Sequence, residues 1–121
     1  MRLIATRTDA SAGNEGGPVA SPANCPGVAA VAGVRHAGTK VGYSSLGREV
    51  ALSAPAGNCV NTNGGPCLFS IDTTSNAGDT APTTPIYTDQ LNFTVGTSFS
   101  SPMVAGIAAL MLSVNGNLKP A

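Results

Sequence analysis

The stretch "VGTSFSSPMVAGIAALMLS", residues Val95 to Ser113, decides how this chain is read. From Met103 to Val114, apolar residues fall at every angle around a helix: Met103, Val104, Ile107, Leu110, Met111 and Leu112. Ala105, Gly106, Ala108 and Ala109 lie between them and leave room for other backbone to pass close by. A helix apolar on all faces belongs inside a domain rather than on its surface. Asn115, Gly116 and Asn117 end it. Pro102 has no N–H, so it fits the first turn, where N–H groups lack intrahelical partners. The helix therefore starts near Thr97 or Ser98. A hydroxyl there has two uses. It can cap the helix by accepting a backbone N–H. It can also act as a nucleophile, because free N–H groups and the positive end of the helix dipole stabilise an anion formed beside them.

The bulk composition narrows the classes. The chain has 121 residues, the size of one small domain. Its net charge is zero and only 10% of residues are charged, with no run of one sign. Such a surface offers no footprint for nucleic acid or for an anionic membrane. The apolar run inside Val104 to Val114 is shorter than the ~20 residues of a membrane span, and "MRLIATRTDASAG" lacks the apolar core of a secretory signal. Abundant Gly and Pro point to short strands joined by tight turns.

Along the chain, Ser11 to Gly27 reads as a turn-rich loop, and residues 1–10 show no clear pattern. "VAAVAGVR" (Val28 to Arg35) and "EVALSAP" (Glu49 to Pro55) are continuous apolar runs of the kind found in strands buried on both faces. "VGYS" (Val41 to Ser44) and "NFTV" (Asn92 to Val95) have the character of short strands. Gly57 to Gln90 is a long irregular excursion, a length usually reserved for functional or braced loops. A chain this short cannot surround the apolar helix, which points to further sequence in the complete domain.

The three cysteines are Cys25, Cys59 and Cys67. Cys59 and Cys67 lie close together in "NCVNTNGGPC" and can close a small disulfide loop, which leaves Cys25 over. There is no Cys-x-x-Cys, and the single histidine stands apart from the cysteines, so no zinc pattern is present.

A second motif adds to the helix signal. "SAGNEGG" (Ser11 to Gly17) places Asn14 after small residues and before Glu15. Alone it is an ordinary turn. Together with "GTSFSSPMVAG", and with "SPANCPGVAAVAGV" and "YSSLGREVALSAPAG" between them, it resembles the subtilisin-like serine peptidases over Ser11 to Pro120. Secreted bacterial members with a cysteine-containing insertion before the nucleophile are the most similar in pattern.

The resemblance implies an α/β fold: a partial three-layer domain with a mostly parallel sheet and a buried nucleophile helix. It implies peptide-bond hydrolysis through an acyl-enzyme on Ser98, with the Asn14 side chain and the Ser98 N–H as oxyanion donors. Ser11, Ala12, Gly13, Glu15 and Thr97 would line the substrate site. The substrate would be a polypeptide and the location extracellular, with no cofactor and no metal, since no acidic cluster stands where a calcium site could be carried over.

Subtilases order their triad Asp, His, Ser along the chain. Only thirteen residues precede Asn14, and they contain no Asp-Ser/Thr-Gly or His-Gly-Thr-His. Residues 1–121 thus read as the C-terminal half of a peptidase domain, clipped at both ends and atypical over 1–10. Its natural partner would be the N-terminal half. The alternative is a catalytically inactive remnant with at most a binding or complementation role. His36 in "HAGT" follows a strand and reads as a turn residue, as do Asp72 and Asp79; Asp9 sits in no triad context. Met103 stands where many relatives carry His directly after the proline, a packing position on the helix.

Overall fold

The computed structural model describes residues 8–57, 69–88 and 95–119. Three parallel strands form the sheet: β1 (Asp9–Ser11), β2 (Ala29–Val34) and β3 (Val50–Pro55), in the order β1-β2-β3. One long helix, α1 (Thr97–Val114), packs on all three strands. Between β3 and α1, β4 (Thr74–Asn76) and β5 (Pro85–Tyr87) form a separate antiparallel hairpin.

β2 is the central strand, and Ala29 to Ala32 are buried. Its small residues suit a strand covered on both faces. β3 departs from that expectation. It is only half-buried, with Ser53 and Pro55 exposed, because it lies at an edge where Pro's missing N–H costs no ladder bond. The core itself is made of small side chains: Ala12, Val19, Ala23, Ala30 and Ala32, joined by Ala10 and Val50.

Three local expectations are corrected. Asp9 and Ala10 are not patternless but begin β1, in register with Ala29 and Ala30. Val41 to Ser44 is a turn rather than a strand. Only Lys40 forms an isolated bridge, to Val34, and the Lys40 ammonium then donates to the carbonyls of Val41, Gly42 and Ser44 at 2.9–3.0 Å. Those carbonyls converge on one cation, and Val41 O also accepts the Ser44 N–H, which closes the turn. Finally, the excursion after Gly57 contains the β4–β5 hairpin. The expected Cys59–Cys67 pairing and the NFTV strand up to Thr94 lie outside the described residues. Cys25 is free and exposed.

The helix is fastened at its start. Ser100 Oγ donates to the Ala54 and Pro55 carbonyls at the end of β3, and Ser101 Oγ donates to the Asp9 carboxylate on β1. Within α1 only Thr97 and Ser100 are fully buried. Further along, Ile107, Leu110 and Val114 are 58, 68 and 89% exposed. Length and composition alone would let α1 cross a membrane, but its first turn is hydrogen-bonded to the sheet. The described residues supply a layer for one side of this helix and none for the other.

Candidate active site

Gly96, not Thr97 or Ser98, occupies the N-cap of α1, so the N-cap residue has no side chain with which to cap the helix. Its φ of 147° and ψ of 153° are open to glycine and strained for other residues. The Gly96 N–H donates to the Ala56 carbonyl at 3.0 Å, which ties the helix entry to the chain just beyond β3. The hydroxyl of Ser98 is thus not spent on capping, and Ser98 is exposed at the second helical position. An N–H there has no intrahelical acceptor.

Thr97 is fully buried and faces Asn14 across 83 residues of sequence. Its N–H and its hydroxyl both donate to Asn14 Oδ1, each at 2.9 Å. With Oδ1 occupied, the Asn14 amide is fixed with its NH₂ turned away from Thr97. A β-carbon placed on Gly96 would lie 3.5 Å from Asn14 Nδ2 and 3.8 Å from Ser98 N. The Asn14 amide nitrogen and the Ser98 backbone nitrogen therefore border the same space over Gly96.

The Asn14 turn is braced from the side. Segment 43–46 runs along it, with Gly16 N donating to Tyr43 O at 2.7 Å, Ser45 N to Gly13 O at 2.9 Å and Leu46 N to Gly17 O at 2.9 Å. Gly13 adopts φ 111°, and a β-carbon there would collide with Glu15 Oε2 at 2.7 Å and Ser45 Oγ at 2.9 Å. Glu15 folds back so that its carboxylate accepts from Ser45 Oγ at 3.4 Å. Of the residues expected to line a substrate site, Glu15 is exposed, Ser11 and Gly13 are half-buried, and Ala12 and Thr97 are buried.

His36 lies elsewhere in role. It sits in a turn closed by Arg35 N to Thr39 O (2.9 Å) and Gly38 N to Arg35 O (2.8 Å), and its ring stacks on Phe69 at a centroid distance of 3.9 Å. Asp72 and Asp79 are exposed, and Asp9 is engaged by Ser101. Sequence reasoning missed Lys40, Tyr43 and Ser45, because a residue that braces a turn through backbone bonds leaves no motif.

Comparison with known proteins bears on the family and the fold. The model of the Subtilase family matches residues 9–121. The chain is 39% identical over 106 residues to an extracellular protease of Xanthomonas campestris pv. campestris, covering 86% of this chain and 16% of that protein. It is 31% identical over 110 residues to a halolysin-like extracellular serine protease of Natrialba magadii, covering 90% of this chain and 16% of the relative. Among solved structures, a protease of Pseudoalteromonas arctica superposes with a TM-score of 0.77 at 32% identity, over 91% of this chain and 31% of that one. The chain thus spans about a sixth of the length of these two relatives and about a third of that solved chain. On the family match and the fold together, the chain belongs to the subtilase family.

Proposed function

We propose that this chain is the nucleophile and oxyanion portion of a secreted subtilisin-like serine endopeptidase. Ser98 Oγ attacks the carbonyl carbon of the scissile peptide. The carbonyl oxygen takes the negative charge and is held by the Asn14 NH₂ and the Ser98 N–H. The Ser98 proton passes to a general base and from it to the departing amine, as collapse of the intermediate breaks the C–N bond and leaves the acyl group on Ser98. Water then hydrolyses the ester. The observation that carries this reading is the double hydrogen bond from Thr97 to Asn14 Oδ1, which turns the amide donors toward the space beside Ser98 N. Thr97 works through Asn14, while Ser11, Gly13 and Glu15 flank the substrate.

The general base comes from polypeptide outside these 121 residues. His36 is stacked on Phe69 and is not hydrogen-bonded to Ser98. A serine hydroxyl without a base is a poor nucleophile. The N-terminal half of a subtilase domain is the partner that supplies it, and it covers the exposed side of α1 around Ile107, Leu110 and Val114. The second reading, an inactive remnant, is favoured by that same stacking of the single histidine.

The test is labelling by a fluorophosphonate probe and hydrolysis of a peptide substrate, with and without the N-terminal half of a subtilase domain added in trans. The chain alone should show no turnover at ordinary protease rates. The mixture should label at Ser98 and cleave peptide, and Ser98→Ala should abolish both. Labelling that survives Ser98→Ala would remove the nucleophile assignment; a mixture that neither labels nor cleaves supports the remnant.

A further inference from the structure

We propose that Tyr43 is a positioning residue that ties the two oxyanion donors together, its backbone carbonyl holding the Asn14 turn and its hydroxyl holding the entry to the nucleophile helix. This rests on the reading of Asn14 and Ser98 given above.

Tyr43 stands in the turn organised by Lys40, whose ammonium gathers the carbonyls of Val41, Gly42 and Ser44. Val41, Ser44 and Ser45 are fully buried, so the turn is anchored on both sides of Tyr43. Its carbonyl accepts the Gly16 N–H at 2.7 Å, two residues after Asn14. Its hydroxyl reaches in the other direction and donates to the Ala56 carbonyl at 2.5 Å. That same oxygen accepts the Gly96 N–H at 3.0 Å, two residues before Ser98.

A carbonyl oxygen has two lone pairs. At Ala56 one serves Tyr43 and the other serves Gly96. Ala56 is fully buried, and its own N–H donates to Val34 O at 3.0 Å, so the peptide is held from β2 as well. The phenol thus fixes the acceptor on which the helix N-cap docks. Burial raises the Tyr43 pKa above its ordinary value of 10.0, with the Gly96 N–H opposing that shift in part, so the hydroxyl stays protonated and a donor at neutral pH. A phenylalanine would keep the ring and lose only this bond.

Amide hydrogen exchange, followed by NMR in the 121-residue chain and its Tyr43→Phe variant, tests the proposal. The Gly96 N–H should exchange about tenfold faster in the variant, equivalent to ~1.4 kcal/mol. The Gly16 N–H, held by the Tyr43 backbone, should be unchanged. Equal acceleration of both amides would mean general loosening, and an unchanged Gly96 would mean that the hydroxyl holds nothing; either overturns the proposal. This measurement does not use Ser98 chemistry, so failure here is separate from failure of the peptidase reading, which shows as labelling that survives Ser98→Ala.

Discussion

The N–H and the hydroxyl of Thr97 end on one atom, Oδ1 of Asn14, at 2.9 Å each. Two motifs separated by 83 residues are locked to each other by a single side chain. The Thr97 methyl is itself held, because a β-carbon on Gly33 would lie 3.3 Å from Thr97 Cγ2. Thr97→Val keeps the shape and removes the hydroxyl, while Thr97→Ser keeps the hydroxyl. Valine should cost about 0.5–1.5 kcal/mol, the worth of one hydrogen bond, and broaden the Asn14 side-chain amide signals. Serine should restore the signals. Urea unfolding and NMR of the Asn14 NH₂ check this; a valine variant with wild-type amide signals would contradict the lock.

Asn14→Leu removes one proposed oxyanion donor together with the acceptor that holds Thr97. In the chain complemented by a subtilase N-terminal half, turnover should fall by about 10²–10³-fold with little change in KM. That magnitude is the one known from subtilisin itself, a member of this family, for losing such a donor. Steady-state kinetics on a peptide substrate decides the matter. A loss confined to KM would place Asn14 in substrate binding instead.

Gly33→Ala should be strongly unfavourable. Its β-carbon would meet Ala56 Cβ at 2.6 Å and Val41 Cγ2 at 3.1 Å, and neither neighbour is the end of a flexible chain. Overpacking of this kind costs about 1–3 kcal/mol. The strain falls on Ala56, and through it on Gly96. The midpoint of chemical denaturation should drop accordingly, and a variant as stable as the parent would show that this junction has slack.

In the 121-residue chain the outer side of α1 is an apolar surface, with Ile107, Leu110 and Val114 exposed. Contiguous exposed apolar area leads to association. Leu110→Glu should therefore raise the monomeric fraction in sedimentation and lower binding of an apolar dye. It should also weaken complementation, because the same side is the one proposed to receive the N-terminal half. An increase in complementation would assign that side a different role.

Cys25 is free and exposed, so it should react with a thiol reagent in the native chain. The sequence expectation that Cys59 pairs with Cys67 predicts one thiol in total in a denaturing, non-reducing titration. Three thiols would remove the disulfide.

Much of this was legible in local sequence. Small-residue runs marked β2 and β3, because strands in a parallel sheet are covered and carry continuous apolar residues. Gly-Thr-Ser before an apolar helix, with Ala-Gly-Asn upstream, marked the family and both halves of the site. What local pattern could not supply was every feature built from polar bonds between distant residues. β1 begins at Asp9, an unpromising strand residue, because Ser101 on α1 donates to its carboxylate. Val41 to Ser44 reads as a strand by composition but becomes a turn, because the Lys40 ammonium collects three of its carbonyls. The β4–β5 hairpin has no apolar alternation. It is closed by Thr88 Oγ1, which accepts from Thr73 N and donates to Ile71 O, and by Asn76 Oδ1, which accepts from Gly78 and Thr83. The sequence by itself marked the residues proposed to carry the chemistry and the main helix and strands near them, since propensity and apolar patterning act over a few residues. Only the tertiary structure decided that Gly96 rather than a hydroxyl caps the helix, that Thr97 orients Asn14, and that Tyr43 joins the two. Those choices depend on directional hydrogen bonds between groups 13 to 83 positions apart in the chain, and direction across space is not encoded in local periodicity.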